Sequence, residues 1–244
     1  MAKTTPRLHV EAELIEPCDI QLPREQGHYL ANVLRLVAGD VVEVFNAQHG
    51  AWLAYVTGTG KKSVTLRTER KTADVAPPPD IDYVFAPLKH VRLDYLVQKA
   101  TELGARRLRP VITARTIAER VNLDRMKANA IEAAEQCNLV FVPEVQEPVP
   151  FSKMLAAWNP ERHIIYCDET AAITDPALAL QSVAPPAAVF VGPEGGFTPE
   201  ERAQLKSLPF VTAISLGPRI MRADTVAIAA LALVQAIIGD WRKK

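Results

Sequence analysis

The stretch AAVFVGPEGGFTPEE, residues 187–201, carries the pattern that decides the fold. An apolar run over 187–191 ends in a glycine-rich turn over 192–197, and a second apolar run over 210–216 ends in Gly217-Pro218-Arg219. Both runs have the length and composition of buried strands, so each turn leaves a strand at its carboxyl end. Open α/β sheets bind ligands at that edge. The paired turns therefore predict one small-molecule site.

The glycines of the first turn admit two interpretations. Gly195 and Gly196 lack β-carbons, which allows a ligand to lie against the backbone and accept hydrogen bonds from main-chain N–H groups. A tight strand-to-helix turn with a positive φ explains the same glycines without a ligand. The turn has no lysine where a P-loop requires one, and it lies far from the first strand, where a dinucleotide fold places GxGxxG. Nucleoside triphosphatases and dinucleotide-dependent enzymes are therefore disfavoured.

Strand and helix patterns alternate from residue 81 onward, which is typical of a mostly parallel sheet. Thr198, Pro199 and Glu201 predict a capped helix start after the first turn. The uncharged segment over 225–239 is too short to span a membrane, so we expect it to be a buried helix. The other predicted strands are 81–88, 107–113, 142–145 and 163–167, and the other predicted helices are 93–103, 122–137 and 151–158.

A proline run at 77–79 separates this region from the start of the chain. Consecutive prolines cannot continue a helix or a central strand, so residues 75–80 are predicted to form a stiff linker. Before it, short strand patterns at 40–45, 51–56 and 63–67 and one helix at 24–34 predict a small β-barrel. The expected domains are 1–74 and 81–244.

Composition excludes little, because 28 basic residues balance 28 acidic ones. Basic side chains outnumber acidic ones five to one within 61–71 and again within 106–120, which favours local contacts with phosphates. Three cysteines lie far apart without CxxC spacing, so neither a zinc site nor a disulfide framework is expected. The amino-terminal residues lack the apolar core of a signal peptide. A cytoplasmic protein without a metal and outside the membrane is expected.

Several motifs together resemble one known family. They are Arg7, His28-Tyr29-Leu30, Val33-Leu34-Arg35 and Gly39-Asp40 near the start, Gln98 to Gly104, Glu132 to Gln136, and the two turns with their following helix. With these motifs the chain resembles, nearly from end to end, the bacterial 16S ribosomal RNA small-subunit uridine N3-methyltransferases of the SPOUT superfamily. The resemblance implies an α/β domain with a trefoil knot and a PUA-like or OB-like RNA-binding barrel. It also implies S-adenosyl-L-methionine as cofactor, a homodimer and small-subunit RNA as substrate.

Carried over residue by residue, the resemblance implies which side chains form the site. Cofactor contacts are expected from Gly192, Pro193, Glu194, Gly195, Gly196, Leu216, Gly217, Arg219, Ile220 and Met221. The end of the strand at 167–169 is a third candidate wall, or an ordinary solvated turn. RNA contacts are expected from Arg7, His28, Arg35, Lys89, Arg92 and Lys99.

Methyl transfer to uracil N3 requires loss of the imide proton, and negative charge spreads onto the flanking carbonyl oxygens. A cation and a base both favour this reaction. We expect Arg222 to be the cation and Asp224 or Glu194 to be the base. Either carboxylate could instead cap a helix or pair with an arginine, and orientation of the two reactants could suffice without a base.

Three residues depart from the family pattern. Asp224 stands where relatives commonly have glutamate, Leu139 where many have arginine, and Tyr29 where a second histidine often follows the first. These departures put the catalytic geometry in doubt more than cofactor binding. A non-catalytic RNA-binding or ribosome-assembly protein and a ribose 2′-O-methyltransferase remain the alternatives.

Overall fold

The chain divides into two compact units at the proline run. The computed structural model describes residues 5–59, 64–89, 91–118, 120–171 and 175–242. One unit consists of Met1–Pro77 with Ala134–Val142, and the other of Pro78–Ala133 with Pro143–Lys244. The predicted domain bounds at residues 74 and 81 stay a prediction.

A five-stranded sheet forms the first unit. Its strands are β1 (Arg7–His9), β2 (Asp19–Gln21), β3 (Val41–Asn46), β4 (Gly50–Thr59) and β5 (Val64–Ala73), in the order β1-β3-β4-β5-β2. β1 runs parallel to β3 and the other neighbours are antiparallel. The three predicted strands are present, whereas the three-residue strands β1 and β2 were not predicted. The predicted helix is α1 (Arg24–His28), which continues as a π-helical turn over Tyr29–Val33.

A parallel sheet forms the second unit. Its strands are β6 (Ile81–Phe85), β7 (Arg107–Ile112), β8 (Glu144–Val145), β9 (Val149–Pro150), β10 (His163–Cys167), β11 (Ala187–Val191) and β12 (Val211–Ile214). The order is β12-β10-β11-β6-β7-β8, and β9 pairs with β7. Every neighbouring pair is parallel. The carboxyl ends of β10, β11 and β12 therefore lie side by side, because β10 is between the other two.

Among the described residues of this unit, five α-helices lie between the strands and a sixth follows β12. They are α2 (Val91–Glu102), α3 (Leu123–Gln136), α4 (Phe151–Ala156), α5 (Pro176–Leu180), α6 (Pro199–Lys206) and α7 (Ala223–Ile237). Phe151 and Leu205, from α4 and α6, pack with Phe190 and Tyr166 of the sheet in one buried cluster. Among the described residues, no helix combines the length and apolarity that a membrane span requires.

Local sequence signals account for the helix ends. Thr198 caps α6, where its hydroxyl accepts from the Glu201 amide while the Glu201 carboxylate accepts from the Thr198 amide. This capping box confirms the prediction from sequence. Gly104 ends the α2 segment with a φ of +73°, a conformation that glycine adopts without strain.

An arginine cluster closes the amino edge of the parallel sheet. The Asp82 carboxylate is fully buried and accepts from Arg107 at 2.8 Å and from Arg109 at 3.2 Å. Arg162 lies 3.4 Å from the same carboxylate. Burial raises the pKa of Asp82, and the arginines only partly oppose that shift. This edge is filled by its own side chains, so the opposite, carboxyl edge is where the strands leave room for a ligand.

Candidate functional site

The two predicted turns meet at one cavity. It has a volume of about 500 Å³ and lies at the carboxyl ends of β10 and β11; we call it the loop cavity. The first turn contributes Gly192, Pro193, Glu194 and Gly196, and the second contributes Ile220, Met221 and Arg222. Arg92 from the start of α2 also lines it. The first turn and the residues that follow the second turn thus border the same cavity, and a single ligand site there stays a prediction.

A second cavity of about 240 Å³ lies beside the loop cavity at the end of β12. Ile220 and Met221 line both, and Leu216, Gly217 and Arg219 line the second one. Nine of the ten predicted cofactor residues therefore border one cavity or the other. Gly195 borders neither, and its carbonyl accepts a hydrogen bond from Arg115 at 2.9 Å.

The glycines of the turns serve different purposes. Gly196 and Gly217 have φ values of +67° and +104°, which a residue with a β-carbon adopts only with strain. A β-carbon on Gly192 would lie 2.4 Å from the Phe197 ring. The turn interpretation therefore explains these three positions. Gly195 has no such restriction, since a β-carbon there would meet Arg115 at an ordinary 3.5 Å.

The end of β10 forms a third wall. Cys167, Asp168 and Glu169 line both cavities, so this candidate is part of the site rather than an isolated solvated turn. Arg202 from α6 donates to Asp168 at 2.9 Å and to Glu169 at 2.7 Å.

Asp168 is fully buried and lies 2.6 Å from the Lys206 ammonium. Burial raises its pKa, but hydrogen bonds from Lys206 and from the amide and hydroxyl of Thr170 outweigh that effect. The net pKa of Asp168 is below its ordinary value. Its network fixes the loop after β10 against α6. Burial raises the pKa of the neighbouring Cys167 thiol to about 12, so this thiol is not a nucleophile near neutral pH.

The three predicted catalytic side chains occupy different positions. Arg222 is exposed, lines the loop cavity and precedes the first residue of α7. Within the described part of the chain it has no acidic partner. Glu194 lines the same cavity and forms an ion pair with Arg92. Asp224 lines neither cavity, and its carboxylate accepts from the amide of Thr225 at 2.8 Å. Of the two candidate bases, Glu194 is thus the one placed at the cavity.

In the first unit, the predicted RNA-binding residues divide into one buried and two exposed side chains. Arg7 is 7% exposed and donates to Glu43 at 2.6 Å and to the carbonyls of Ala134 and Leu139. These bonds occupy all three guanidinium nitrogens, so the geometry favours a structural role for Arg7. His28 and Arg35 are exposed, and Arg35 has a φ of +56°.

Leu139, which stands where many relatives have arginine, lies at an apolar position of the first unit. This leucine packs against a buried cluster with Phe45, Ala51 and Ala134. An apolar side chain suits that position.

In the second unit, Lys89 is exposed at the end of the loop after β6. Lys99 pairs with Glu102 at 2.7 Å and lies over the Tyr95 ring. Arg92 is at the loop cavity, as described above. Lys61 and Lys62 of the first basic patch lie outside the described residues.

The sequence did not predict the residues whose hydrogen bonds connect the segments that line the site. Arg202 is 34 positions from Asp168, and Arg115 is 80 positions from Gly195. The Glu201 carboxylate that completes the capping box also accepts from the Ala114 amide at 2.8 Å. The only sequence signal for these contacts is the capping box, which predicts that Glu201, next to Arg202, has low exposure. That pattern does not identify the residues that Glu201 and Arg202 contact.

Among the described residues, no group of three or more histidine, cysteine or acidic side chains is arranged to hold a metal ion. Cys18, Cys137 and Cys167 form no disulfide.

Two family models match the chain. Residues 76–235 match an RNA methyltransferase domain, and residues 22–69 match an RNA methyltransferase PUA domain. The PUA match ends before the proline run at 77–79, and the methyltransferase match begins just before that run and includes it.

Similar proteins with known names and structures agree with these matches. The ribosomal RNA small subunit methyltransferase E of Rickettsia conorii is 30% identical over 95% of both chains, and that of a Synechocystis strain is 31% identical over 95% of this chain and 78% of its own. The crystal structure of such an enzyme from Neisseria gonorrhoeae, bound to S-adenosyl methionine, is 26% identical with a TM-score of 0.87, covering 97% of this chain and 99% of that one. A Legionella pneumophila putative methyltransferase in complex with S-adenosyl methionine is 27% identical with a TM-score of 0.85, covering 98% and 100%.

Proposed function

The chain belongs to the RNA methyltransferase family that includes the ribosomal RNA small subunit methyltransferases E, and from this we propose that it methylates 16S ribosomal RNA with S-adenosyl-L-methionine. The modified nucleoside is a uridine, and N3 of its uracil accepts the methyl group. One observation carries the proposal: the first glycine turn and Arg222, which has no acidic partner among the described residues, border the same loop cavity.

The loop cavity fits the cofactor by size and by chemistry. Its volume of about 500 Å³ is within the range of small-molecule sites, roughly 300–1,000 Å³. Its lining combines main chain from the glycine turns, the apolar side chains of Ile220 and Met221, and the charged groups of Glu169 and Arg222. Such a mixture suits a ligand with an apolar adenine, a polar ribose and a charged amino-acid end.

When bound, S-adenosylmethionine supplies the methyl group, whose bond to the sulfonium breaks as the bond to uracil N3 forms. Residues of the chain accept the proton that leaves uracil N3 and stabilise the negative charge that develops on the uracil. Arg222 faces the cavity without an acidic partner among the described residues, so its guanidinium can stabilise negative charge on a carbonyl oxygen beside N3. Glu194 accepts the N3 proton, because it is the candidate base that lines the cavity.

The remaining parts of the proposal concern RNA and assembly. His28 and Arg35 in the first unit and Lys89 and Arg92 in the second contact phosphates, supported by the exposure of His28, Arg35 and Lys89. We propose that residues 1–74 and 81–244 act as the RNA-binding and catalytic domains.

The knot, the homodimer and the cytoplasmic location are also part of the proposal. The segment from Ser215 to Arg222, between β12 and α7, is where a threaded chain would form the trefoil knot. Exposed apolar side chains at Val91 and Ile220, 76% and 92% exposed, support contact with a second copy. A cytoplasmic location is consistent with a ribosomal RNA substrate.

The test is deletion of the gene followed by mass-spectrometric analysis of nucleosides from the small-subunit RNA. The wild-type gene should restore 3-methyluridine, and Arg222→Ala should not. Restoration of a 2′-O-methylated nucleoside instead would identify a ribose methyltransferase. Unchanged nucleosides, with RNA binding but no cofactor binding by the purified protein, would identify a non-catalytic assembly protein.

A further inference from the structure

A separate cavity of about 720 Å³ lies in the second unit, at the starts of two helices. One wall is the loop after β6 with the first turn of α2, at Leu88, Lys89 and Leu93. The other is the described part of the segment before α3, with the first turn of that helix, and it contributes Ile117, Ala118, Arg120, Val121, Asn122, Arg125 and Met126. We call it the basic-rimmed cavity.

Its interior is apolar and its rim is positive. Leu88, Leu93 and Met126 are 5%, 8% and 1% exposed, and they form an apolar floor. Lys89 and Arg120 stand at the rim, both are exposed, and neither has an acidic partner within the ranges that the structure describes.

The one acidic side chain in the described lining, Asp94, is already paired with Arg125 at 2.6 Å. The amino ends of α2 and α3 add their helix dipoles to the same positive rim. An apolar floor beneath a rim with two cations that have no acidic partner in the described part of the chain is complementary to a nucleobase attached to phosphates.

The basic-rimmed cavity and the loop cavity are both lined by the first turn of α2. Arg92, which lines the loop cavity, is adjacent in sequence to Leu93 of the apolar floor. The segment that carries Ile117 is also tied to the glycine turn, because Arg115 donates to the Gly195 carbonyl. A polynucleotide strand that places one base at the loop cavity would therefore have its neighbouring nucleotides close to this second cavity.

We propose that the basic-rimmed cavity binds a nucleotide of the RNA substrate that flanks the methylated one. Its phosphates contact Lys89 and Arg120, and its base lies on Leu93 and Met126 beside the exposed Ile117. This inference rests on the proposed function, and it adds a base-binding site outside the loop cavity.

Photocrosslinking tests which molecule occupies the cavity. Ile117, which is 55% exposed, is replaced by p-benzoylphenylalanine, and Leu178, 64% exposed on α5, receives the same substitution as a control. The probe is small ribosomal subunits from cells that lack the gene. We expect Ile117, but not Leu178, to crosslink to RNA within a few nucleotides of the modified uridine. A crosslink between two copies of the chain, or no RNA crosslink from a variant that still methylates, would overturn the inference.

A salt titration gives an independent measurement. The affinity for the same subunits is measured for wild type, for Lys89→Ala with Arg120→Ala, and for Lys153→Ala, which removes an exposed lysine of α4. Each lost phosphate contact lowers the slope of log affinity against log salt by about 0.7–0.9, so the double variant should lose about 1.5 and the control none.

Cofactor affinity separates failure of this inference from failure of the proposed function. The double variant should bind S-adenosylmethionine as wild type does. Wild-type protein that transfers no methyl group would refute the proposed methyltransferase activity, whereas an unchanged salt slope in a methylating enzyme would refute the flanking-nucleotide site and the phosphate contact of Lys89 and leave the activity standing.

Discussion

Arg92 at the start of α2 and Glu194 in the glycine turn form an ion pair at the loop cavity, although 102 positions separate them in sequence. Both side chains are a little over 40% exposed, so the pair contributes at most about 1 kcal/mol to folding. The ion pair is important because of where it places its two side chains. It holds the candidate base Glu194 in place and brings Arg92, a predicted RNA-binding cation, to the loop cavity.

We expect Glu194→Gln to lower kcat/KM for methyl transfer by about 10²-fold or more and Arg92→Met by roughly tenfold, with unfolding free energies within about 1 kcal/mol of wild type. Because the two residues act together, the double variant should lose little more than the worse single variant. A double-mutant cycle on single-turnover rates measures this coupling. Losses that multiply would show that the two side chains act independently.

The cation in the proposed mechanism predicts a change in rate rather than in binding. Arg222→Ala should lower kcat by about 10²–10³-fold, the usual loss on removing one charge-stabilising donor, while the cofactor Kd changes little. Arg222→Lys should recover part of the rate, since it keeps the charge but not the planar fork. Isothermal titration and methyl-transfer kinetics separate the two effects, with Lys153→Ala as the matched control. A rate that Arg222→Ala leaves intact would remove Arg222 from the mechanism.

The two adjacent glycines of the first turn provide a matched pair of substitutions. Gly196→Ala forces an alanine to a φ of +67° and should destabilise the fold by about 1–2 kcal/mol. Gly195→Ala meets only ordinary contact with Arg115 and should leave stability nearly unchanged. If a ligand lies against this backbone, Gly195→Ala should still weaken cofactor binding by tenfold or more.

Urea unfolding and calorimetric titration of both variants measure these effects. Wild-type cofactor affinity in a folded Gly195→Ala protein would contradict the close-approach interpretation at that position.

Local signals made much of the second unit predictable. β10 and β11 have the bounds that the apolar runs 163–167 and 187–191 indicate, and the capping box of α6 is as predicted. The short strand β1 was missed because three residues with one buried side chain carry no periodic pattern. Arg7 could not be assigned from sequence, since its carbonyl partners are 127 and 132 positions away. The match to the family motif indicated an RNA contact for Arg7, and its buried ion pair with Glu43 is seen only in the tertiary structure.

The buried carboxylate behind the loop cavity makes a prediction about pH. The folded-state pKa of Asp168 is below its ordinary value, because the bonds from Lys206 and Thr170 outweigh burial. A carboxylate with a lowered folded pKa adds stability that is present above the unfolded pKa of about 3.9 and is lost as pH falls through the folded value. Wild-type unfolding free energy should therefore decline below about pH 4. Asp168→Asn should be less stable at neutral pH and should show a flatter decline in that acid range.

Chemical denaturation at several pH values from about 2.5 to about 7 measures the difference in unfolding free energy between wild type and Asp168→Asn. Other carboxylates titrate in the same range, so the comparison uses the difference curve, from which their common contribution cancels. Asp175→Asn is the control, because this exposed carboxylate only caps the five-residue helix α5. If the difference between wild type and Asp168→Asn is the same at pH 7 and at the acid end, Asp168 contributes through packing and not through its charge.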